Sequence, residues 1–191
     1  MLFLTAETAI QIALPDLHVT WLCVTLLSVL YFTYCSEMWN QLDALTGLLN
    51  QNSYLNRTAE MSRSGGLLIV FDVDNFKQVN DCYGHLQGDA CLAAIAACLK
   101  KAYACCGYCY RIGGDEFCVL LKNTAKEAAC AEEFLRQLEK KRKELTFLPT
   151  VSCGSAPLSG EDVVAVKDQA DRAMYHHKKA RKERAAAIVP E

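Results

Sequence analysis

The pattern of apolar and polar residues predicts several short strands. Residues 67–74, LLIVFDVD, form one continuous apolar run that ends in acid, as a fully buried strand does. Residues 150–156 form a second run of this kind. The stretch 110–121, YRIGGDEFCVLL, contains two strand-forming runs interrupted by two glycines and two acids. This arrangement predicts a β-hairpin with the glycines and acids in its turn.

Apolar residues at helical spacing predict helices between these strands. The predicted helices cover residues 51–61, 86–104, 125–143 and 161–184, with a further helical turn at 75–83. The order is therefore helix, strand, helix, hairpin, helix, strand, helix. Such alternation indicates an α/β fold in which helices pack on a central sheet of about five strands.

The amino-terminal segment differs from the rest in composition. Residues 17–35 contain no Asp, Glu, Lys or Arg, and 19 helical residues span about 28 Å, close to the hydrocarbon thickness of a bilayer. Trp21, Tyr31 and Tyr34 lie toward its ends, where interfacial aromatic residues are common. We therefore expect a transmembrane helix at 17–35. A buried dimerisation helix is an alternative, and a signal peptide is disfavoured because no basic region precedes the run.

The charge of the chain excludes one class of partner. The 191 residues include 20 basic and 22 acidic ones, and the formal net charge of -2 gives no overall field that attracts nucleic acid. A protein that acts on nucleic acid would need basic and aromatic patches along a groove, and the basic stretch 178–184 is more simply the solvated end of a helix. We expect no nucleic-acid partner.

The 11 cysteines indicate free thiols. They lie mostly within predicted helices and strands, where Cys acts as a small apolar residue, and their odd number argues against a disulfide framework. Residues 105–109, CCGYC, contain a CxxC motif of the kind found in zinc sites and redox pairs. Because no second CxxC and no nearby His accompany it, buried thiols are the favoured interpretation.

Carboxylates lie at the end of one predicted strand and in the hairpin turn. Adjacent strands of one sheet would bring Asp72, Asp115 and Glu116 close together, where like charges need a cation. Their oxygen atoms suit Mg²⁺ or Mn²⁺ with a phosphate-bearing substrate. Two simpler interpretations stay open at this point. Asp72 and Asp74 could cap the following helical turn, and the hairpin residues could be plain turn residues, with glycine allowing positive φ.

Residues 72–89, DVDNFKQVNDCYGHLQGD, contain a series of motif residues in an order that is typical of one protein family. Together with RIGGDEF at 111–117 they resemble the GGDEF family, the diguanylate cyclases, whose two aspartates, Phe, Lys, Asn-Asp, Gly-His and Gly-Asp are all matched. The resemblance covers about residues 43–182. It implies a palm-like α/β domain that joins two GTP molecules into cyclic di-GMP and releases pyrophosphate. Further landmarks of the family are matched at residues 43–50, 150–156 and 170–179.

The resemblance implies roles for the acids and for one lysine. Asp72, Asp115 and Glu116 are the implied metal ligands for two Mg²⁺ or Mn²⁺ ions per active site. The backbone carbonyl of Val73 completes this set. Asp115 or Glu116 accepts the proton of the attacking ribose 3′-hydroxyl, and the choice between them stays open. Lys77 places a cation on the phosphates.

The resemblance also implies a nucleotide-binding set. Asn80 and Asp89 are the implied guanine readers, because a carboxylate accepts from N–H groups that adenine does not offer in that arrangement. Gly113 and Gly114 would let the hairpin backbone approach the phosphates. The histidine of the Gly-His pair either touches the nucleotide or holds the turn. The full set of implied substrate-binding residues is Phe76, Lys77, Asn80, His85, Asp89, Gly113, Gly114, Lys178 and Lys182.

The chain departs from the family pattern in two places. The Arg-x-x-Asp product-inhibition site of many relatives falls on residues 104–107, ACCG, so we expect no feedback inhibition through it. Lys178 matches a phosphate-binding lysine of the family, but Arg181 and Lys182 stand where Gly-Arg is usual. Because Lys182 keeps the charge and loses the bidentate guanidinium, we expect weaker phosphate binding.

These features together predict an active, membrane-anchored diguanylate cyclase. A homodimer is expected for turnover, since two GTP molecules must meet, and the predicted location is the inner membrane with the catalytic domain in the cytoplasm. The alternative is a GTP-binding or dimerising regulatory module that has lost turnover. The predicted organisation is an apolar segment at 1–16, a transmembrane helix at 17–35, a linker helix at 36–42, the GGDEF domain at 43–185 and a tail at 186–191.

Overall fold

The computed structural model divides the chain into two compact units, Met1–Gln41 and Leu42–Glu191. Helix α1, Val19–Trp39, lies in the first unit. No helix of the described residues is both long and apolar enough to cross a membrane. Residues 17 and 18 of the predicted transmembrane helix lie outside the described part of the chain. The residues that the structure describes are 12, 19–39, 41–160 and 162–187.

The second unit contains every helix and strand that the sequence pattern predicts for it, with small shifts at their ends. Its helices are α2 Gln51–Ser64, α3 Phe76–Tyr83, α4 His85–Tyr103, α5 Glu127–Glu144 and α6 Val163–Ala187, and a 3₁₀ turn at Thr124–Lys126 precedes α5. Its strands are β1 Gly66–Val73, β2 Gly107–Arg111, β3 Glu116–Leu121 and β4 Val151–Leu158.

The strands form one antiparallel sheet in the order β2-β3-β1-β4. The prediction of about five strands is therefore wrong for the described residues. Leu49 lies beside the outer edge of β2 but makes only a single-residue bridge with Tyr110. Directly after Leu49, Asn50 caps α2 by accepting the Ser53 N–H at 3.0 Å, and the chain continues as a helix.

Alternate residues of each strand face two different layers of helices. On one face, Phe71 contacts Tyr103 of α4 and Phe134 of α5 in edge-to-face pairs with ring centroids 5.8 and 5.4 Å apart. On the other face, Leu68 and its neighbours pack with Tyr54 of α2 and with α6. Both faces of the central strands are thus buried, which explains why residues 67–74 are almost continuously apolar.

Helix α6 lies against β4 at a glycine. A Cβ on Gly154 would lie only 2.2 Å from the backbone nitrogen of Met174 and 2.3 Å from the carbonyl oxygen of Ala170. Any larger residue would therefore push the helix away from the sheet. This close approach brings the carboxyl-terminal part of α6, which carries Lys178, near the end of β1.

Candidate active site

The acids at the end of β1 and in the hairpin turn occupy neighbouring strands. Asp72 pairs in register with Glu116 of β3 on one side and with Ser152 of β4 on the other. Directly opposed residues of antiparallel strands place their side chains on the same face, so Asp72 and Glu116 share the face that α6 covers. The N–H of Val73 donates to the carbonyl oxygen of Asp115 at 3.3 Å, which holds the turn beside β1.

The ammonium group of Lys178 lies among these acids. It forms an ion pair with Asp72 and lies 3.7 Å from Oδ1 of Asp74. Burial lowers the pKa of Lys178, but the hydrogen bond to Asp72 and the charges of Asp72, Asp74 and Asp115 outweigh it, so the pKa is raised above its usual range. The resemblance implies that Lys178 binds phosphate, and in this structure, which holds no nucleotide, it pairs with Asp72.

The acids do not form a ready-made metal cage. Among the described residues, no group of three or more His, Cys, Asp or Glu side chains is arranged to hold a metal ion. The donor chemistry nevertheless fits a hard divalent cation, because carboxylate oxygens end two adjacent strands and already attract a positive charge, that of Lys178. Only 18% of the Asp72 side chain is exposed, so this carboxylate is partly desolvated.

Asp74 has a structural role that separates it from Asp72. Its two carboxylate oxygens accept hydrogen bonds from the hydroxyl groups of Ser152 at 2.8 Å and Thr150 at 2.7 Å, and its N–H donates to the carbonyl of Thr150 at 2.8 Å. Asp74 is 5% exposed and fastens β1 to β4. The N-cap position of α3 belongs to Asn75, whose φ of 55° is left-handed, so the proposed capping by these aspartates is not what the structure records.

Asn80 lies in a tight contact at the start of α4. The carboxamide oxygen of Asn80 is buried and has no hydrogen-bond partner within the chain. A Cβ on Gly88 would lie 1.9 Å from this oxygen and 3.3 Å from Cζ of Phe76. The glycine therefore makes the space in which Asn80 sits, and Asp89 follows it as an exposed residue of the same helix. A buried acceptor without a partner carries a desolvation cost, which a donor from a ligand would relieve if the Asn80 side chain turned toward it.

Lys77 and His85 lie at the exposed amino-terminal ends of α3 and α4. Gly84 connects these helices with φ of 84°, a left-handed value that favours glycine, and its N–H donates to the carbonyl of Asn80 at 2.9 Å. Gly84 thus gives the turn its left-handed backbone and one hydrogen bond, and the role of His85 stays a prediction. Position 182 lies in the part of α6 whose side chains the structure does not describe, so the prediction for Lys182 lies outside the described side chains.

The two glycines of the hairpin are not there for positive φ. Neither Gly113 nor Gly114 has a φ in the left-handed region, so the positive φ expected for these glycines is wrong. A Cβ on Gly113 would lie 3.3 Å from Oε2 of Glu116, and a Cβ on Gly114 would have no atom within 4 Å. Gly114 therefore faces open space at the end of the sheet that carries the acids.

Arg111 and Asp43 hold the hairpin turn, and the sequence prediction gave neither residue a role. Nη1 of Arg111 donates to Oδ1 of Asp43 at 3.0 Å, while Nε and Nη2 donate to the carbonyl oxygen of Gly114 at 3.2 and 2.8 Å. The Thr46 N–H and hydroxyl also donate to Asp43, at 2.9 and 2.6 Å. Both residues stand within recognised motifs, DALTGLLN and RIGGDEF, which was the available signal.

The electrostatics of Asp43 follow from these contacts. Burial by itself would raise the pKa of the carboxyl group, but hydrogen bonds from Thr46 and Arg111 and the positive charge of Arg111 outweigh it, so the pKa is lowered. The ionised form is thus the one that the fold stabilises, and it anchors the guanidinium that fixes the turn.

Comparison with known proteins decides the family. The sequence model described as "Diguanylate cyclase, GGDEF domain" matches residues 40–184. The chain belongs to the GGDEF family. The diguanylate cyclase DgcP of Pseudomonas aeruginosa is 38% identical over 160 residues, covering 74% of this chain and 23% of the relative. The cyclic di-GMP phosphodiesterase PdeR of Escherichia coli is 34% identical over 165 residues, covering 78% of this chain and 24% of the relative.

The fold of this GGDEF protein also agrees with solved structures. The crystal structure of the coiled coil and GGDEF domain of DgcB from Caulobacter crescentus, in complex with c-di-GMP, superposes with a TM-score of 0.70 at 24% identity. The match covers 84% of this chain and 94% of that one. At this identity the likeness shows the fold alone. The curated relatives are much longer, since this chain spans only about a quarter of DgcP and of PdeR.

Proposed function

We propose that this GGDEF protein is a diguanylate cyclase that condenses two GTP molecules into cyclic di-GMP and two pyrophosphates. The observation that carries the proposal is the set of carboxylates at one end of the sheet. Asp72 and Glu116 are opposed in register, Asp115 lies in the adjoining turn, and the ammonium group of Lys178 pairs with Asp72. Such a site suits the transfer of a nucleotidyl group.

The metal is part of this proposal. Asp72, Asp115, Glu116 and the carbonyl oxygen of Val73 would hold two divalent ions, Mg²⁺ or Mn²⁺. When bound, the ions supply activation of the ribose 3′-hydroxyl and neutralise charge at the α-phosphate. Asp115 or Glu116 takes the proton of that hydroxyl. The Arg111 contacts to Gly114 and Asp43 keep the turn, and hence Asp115, in a fixed position while this happens.

Guanine selection follows from the buried acceptor of Asn80. Its carboxamide oxygen has no partner in the chain, so binding a base that presents N–H groups would satisfy it. Guanine offers a ring N–H and an exocyclic amine, and Asp89 is placed on the next helix to accept from them. Adenine cannot offer this pair, so ATP would leave these acceptors unpaired. Phe76 also borders this space, since its Cζ would lie 3.3 Å from a Cβ on Gly88.

The phosphates of GTP are assigned to the open face of the hairpin turn. The space in front of Gly114 admits an anionic group, and Lys77 and Lys178 are assigned the positive charge that meets the phosphates. Lys182 adds a point charge without the paired donors of an arginine, so phosphate binding through the end of α6 is expected to be weak.

Turnover is proposed to need two copies of the domain. Each copy holds one GTP, and the two 3′-hydroxyl groups must each reach the other nucleotide. Residues 104–107 carry neither the Arg nor the Asp of the product-inhibition site, so we expect no inhibition by product through that site. The location at the inner membrane stays a prediction from the sequence.

A GTP-binding module without turnover is the second candidate. Two observations favour it: Lys178 occupies the acids that the metal would need, and PdeR, a relative of comparable identity, is named as a phosphodiesterase. In this alternative the domain would bind GTP without converting it, and the presence or absence of bound GTP would regulate a partner.

The deciding experiment uses the full chain with GTP and Mg²⁺, with product identified by chromatography and mass spectrometry. We expect cyclic di-GMP from the native chain and none from Asp115→Asn, which should still bind GTP. Asp89→Ala should lose GTP binding while ATP binding stays negligible. Binding of GTP by the native chain with no product at any protein concentration would establish the regulatory module instead, and absence of GTP binding would refute both.

A further inference from the structure

Three thiols lie in a row beside the turn between α4 and β2. Sγ of Cys105 is 3.0 Å from Sγ of Cys106, and Sγ of Cys106 is 3.3 Å from Sγ of Cys130 near the start of α5. The row runs from the surface inward, because Cys105 is exposed, Cys106 is partly buried and Cys130 is only 5% exposed. The proposed cyclase chemistry uses none of these residues.

The backbone holds the middle thiol in place. The N–H of Cys106 donates to the carbonyl of Tyr103 at 2.9 Å, and its carbonyl accepts the N–H of Lys122 at 3.3 Å. These bonds tie the turn to α4 and to the end of β3, so the side chain of Cys106 is kept against α5. A disulfide needs a sulfur separation of about 2.05 Å, so the Cys106 and Cys130 sulfurs would have to approach by roughly 1.2 Å, a distance that side-chain rotation can supply.

The other thiol of the CxxC motif does not belong to the row. Cys109 is buried and donates to the carbonyl of Leu99 at 3.6 Å, and burial raises its pKa to about 12. It is therefore protonated and inert at neutral pH. A metal is not indicated either, since no three such ligands are arranged to hold one in the described part of the chain. Thiol oxidation is the chemistry that fits.

We propose that Cys106 and Cys130 form a reversible disulfide and that Cys105 is the surface thiol through which it is made. The oxidant is a low-molecular-weight disulfide, RSSR. The Cys105 thiolate attacks RSSR and releases one RS⁻, and Cys106 then attacks the Cys105 sulfur and releases the second RS⁻. Cys130 attacks the Cys106 sulfur and expels Cys105 as a thiol. In total two protein thiols are oxidised and RSSR is reduced to two RSH, which take up both protons.

The Cys106–Cys130 disulfide is more stable than the intermediate disulfide between the neighbours Cys105 and Cys106. A Cys105–Cys106 disulfide closes a small, strained ring at an exposed turn, where reductants reach it. The Cys106–Cys130 bond closes a loop of 24 residues and is shielded by burial. The hydrogen bond to Cys106 raises the pKa of Cys105, which keeps this thiol mostly protonated at neutral pH and makes the exchange slow.

The test treats the full reduced chain with oxidised glutathione, blocks remaining thiols with an alkylating reagent and maps peptides after trypsin. Trypsin should release residues 102–111 and 127–136 as separate peptides, and we expect them to be joined after oxidation. Fragmentation should assign the bond to Cys106 and Cys130. The oxidised chain should melt roughly 5 °C higher, and dithiothreitol should reverse both changes.

Variants separate the roles of the thiols. Cys106→Ser should abolish the joined peptide, and Cys105→Ser should slow its formation several-fold without changing the final bond. Cys82 is exposed and serves as an internal control that acquires glutathione without forming a cross-link. The proposal is overturned if Cys82 is glutathionylated while peptides 102–111 and 127–136 stay separate. It is also overturned if the joined peptide forms at the native rate in Cys105→Ser.

Discussion

At the residue scale, Lys178 links the fold of α6 to the acids of the site. Its ion pair with Asp72 joins residues 106 positions apart in the sequence, and only 29% of its side chain is exposed. A positive side chain in contact with Asp72 competes with any other cation for that carboxylate. The family resemblance assigns the same lysine to phosphate. Lys178 cannot pair with Asp72 and bind a phosphate at the same time.

Replacing Lys178 should therefore improve cation binding by the site. We expect Lys178→Met to bind Mn²⁺ roughly fivefold more tightly without nucleotide, because the competing ammonium is gone. Titration followed by electron paramagnetic resonance measures this directly. Arg172→Met is the matched control, since Arg172 lies on the same helix and pairs with Asp168 of that helix. An equal gain in both variants, or none in Lys178→Met, would contradict the competition.

Asp43 gives a pH dependence with a definite sign. Its pKa is lower in the folded chain than the ordinary 3.8, so its ionised form stabilises the fold above that value, and the stabilisation is lost as pH falls through the lowered pKa. We expect Asp43→Asn to lower the free energy of unfolding by about 1–2 kcal/mol at pH 7 and to have little effect well below pH 3.8.

Urea unfolding of the native chain and of Asp43→Asn, at pH 7 and at a pH well below 3.8, measures the difference in their free energies of unfolding. Asp168→Asn is the control, because its ion pair with Arg172 is exposed and should change stability by less than about 0.5 kcal/mol. A difference for Asp43→Asn that persists undiminished in acid would mean that charge is not its source.

At the scale of elements, the contact between α6 and β4 determines whether the site assembles. The backbone of α6 approaches Gly154 so closely that a Cβ would overlap with Met174 and Ala170. The hairpin turn is fixed independently, through the contacts of Arg111 with Asp43 and Gly114. The site thus depends on two long-range contacts that are separate from its own acids.

A pair of glycine substitutions tests this division. Gly154→Ala should lower the free energy of unfolding by about 2–3 kcal/mol, because α6 must move away from the sheet. Gly114→Ala should change stability by less than about 0.5 kcal/mol, since a Cβ there meets no atom within 4 Å, yet it should weaken GTP binding by filling the space assigned to phosphate. Chemical denaturation and GTP titration provide the readouts. Equal stabilities of the two variants would contradict the close packing of α6.

At the scale of the whole molecule, the proposed reaction makes activity depend on association. Each domain holds one GTP, so turnover per chain should fall on dilution below the dimer dissociation constant. We expect the rate of pyrophosphate release to rise with the square of chain concentration in that range. A rate per chain that is constant over dilution, while sedimentation shows monomer, would rule out catalysis between two copies.

The helices and strands could be predicted from the sequence more fully than the sheet they form. The alternation that predicted β1 and the hairpin is a local property of those residues, and their ends shift only slightly in the structure. The sequence pattern contains four strand-forming runs, and the estimate of about five strands was one too many for the described residues. Two roles were expected for the glycines of the turn. The close approach of the backbone to phosphate stays a prediction, and the positive φ is wrong.

The sequence by itself determined the helices and strands of the second unit and the motif residues that place the chain in the GGDEF family. It could do so because periodicity and motif spacing are carried by residues close together in the chain. The tertiary structure alone decided the strand order, the pairing of Lys178 with Asp72, the hold of Arg111 on Asp43 and the row of Cys105, Cys106 and Cys130. Each of these joins distant parts of the chain, and such contacts are fixed by how helices pack on the sheet.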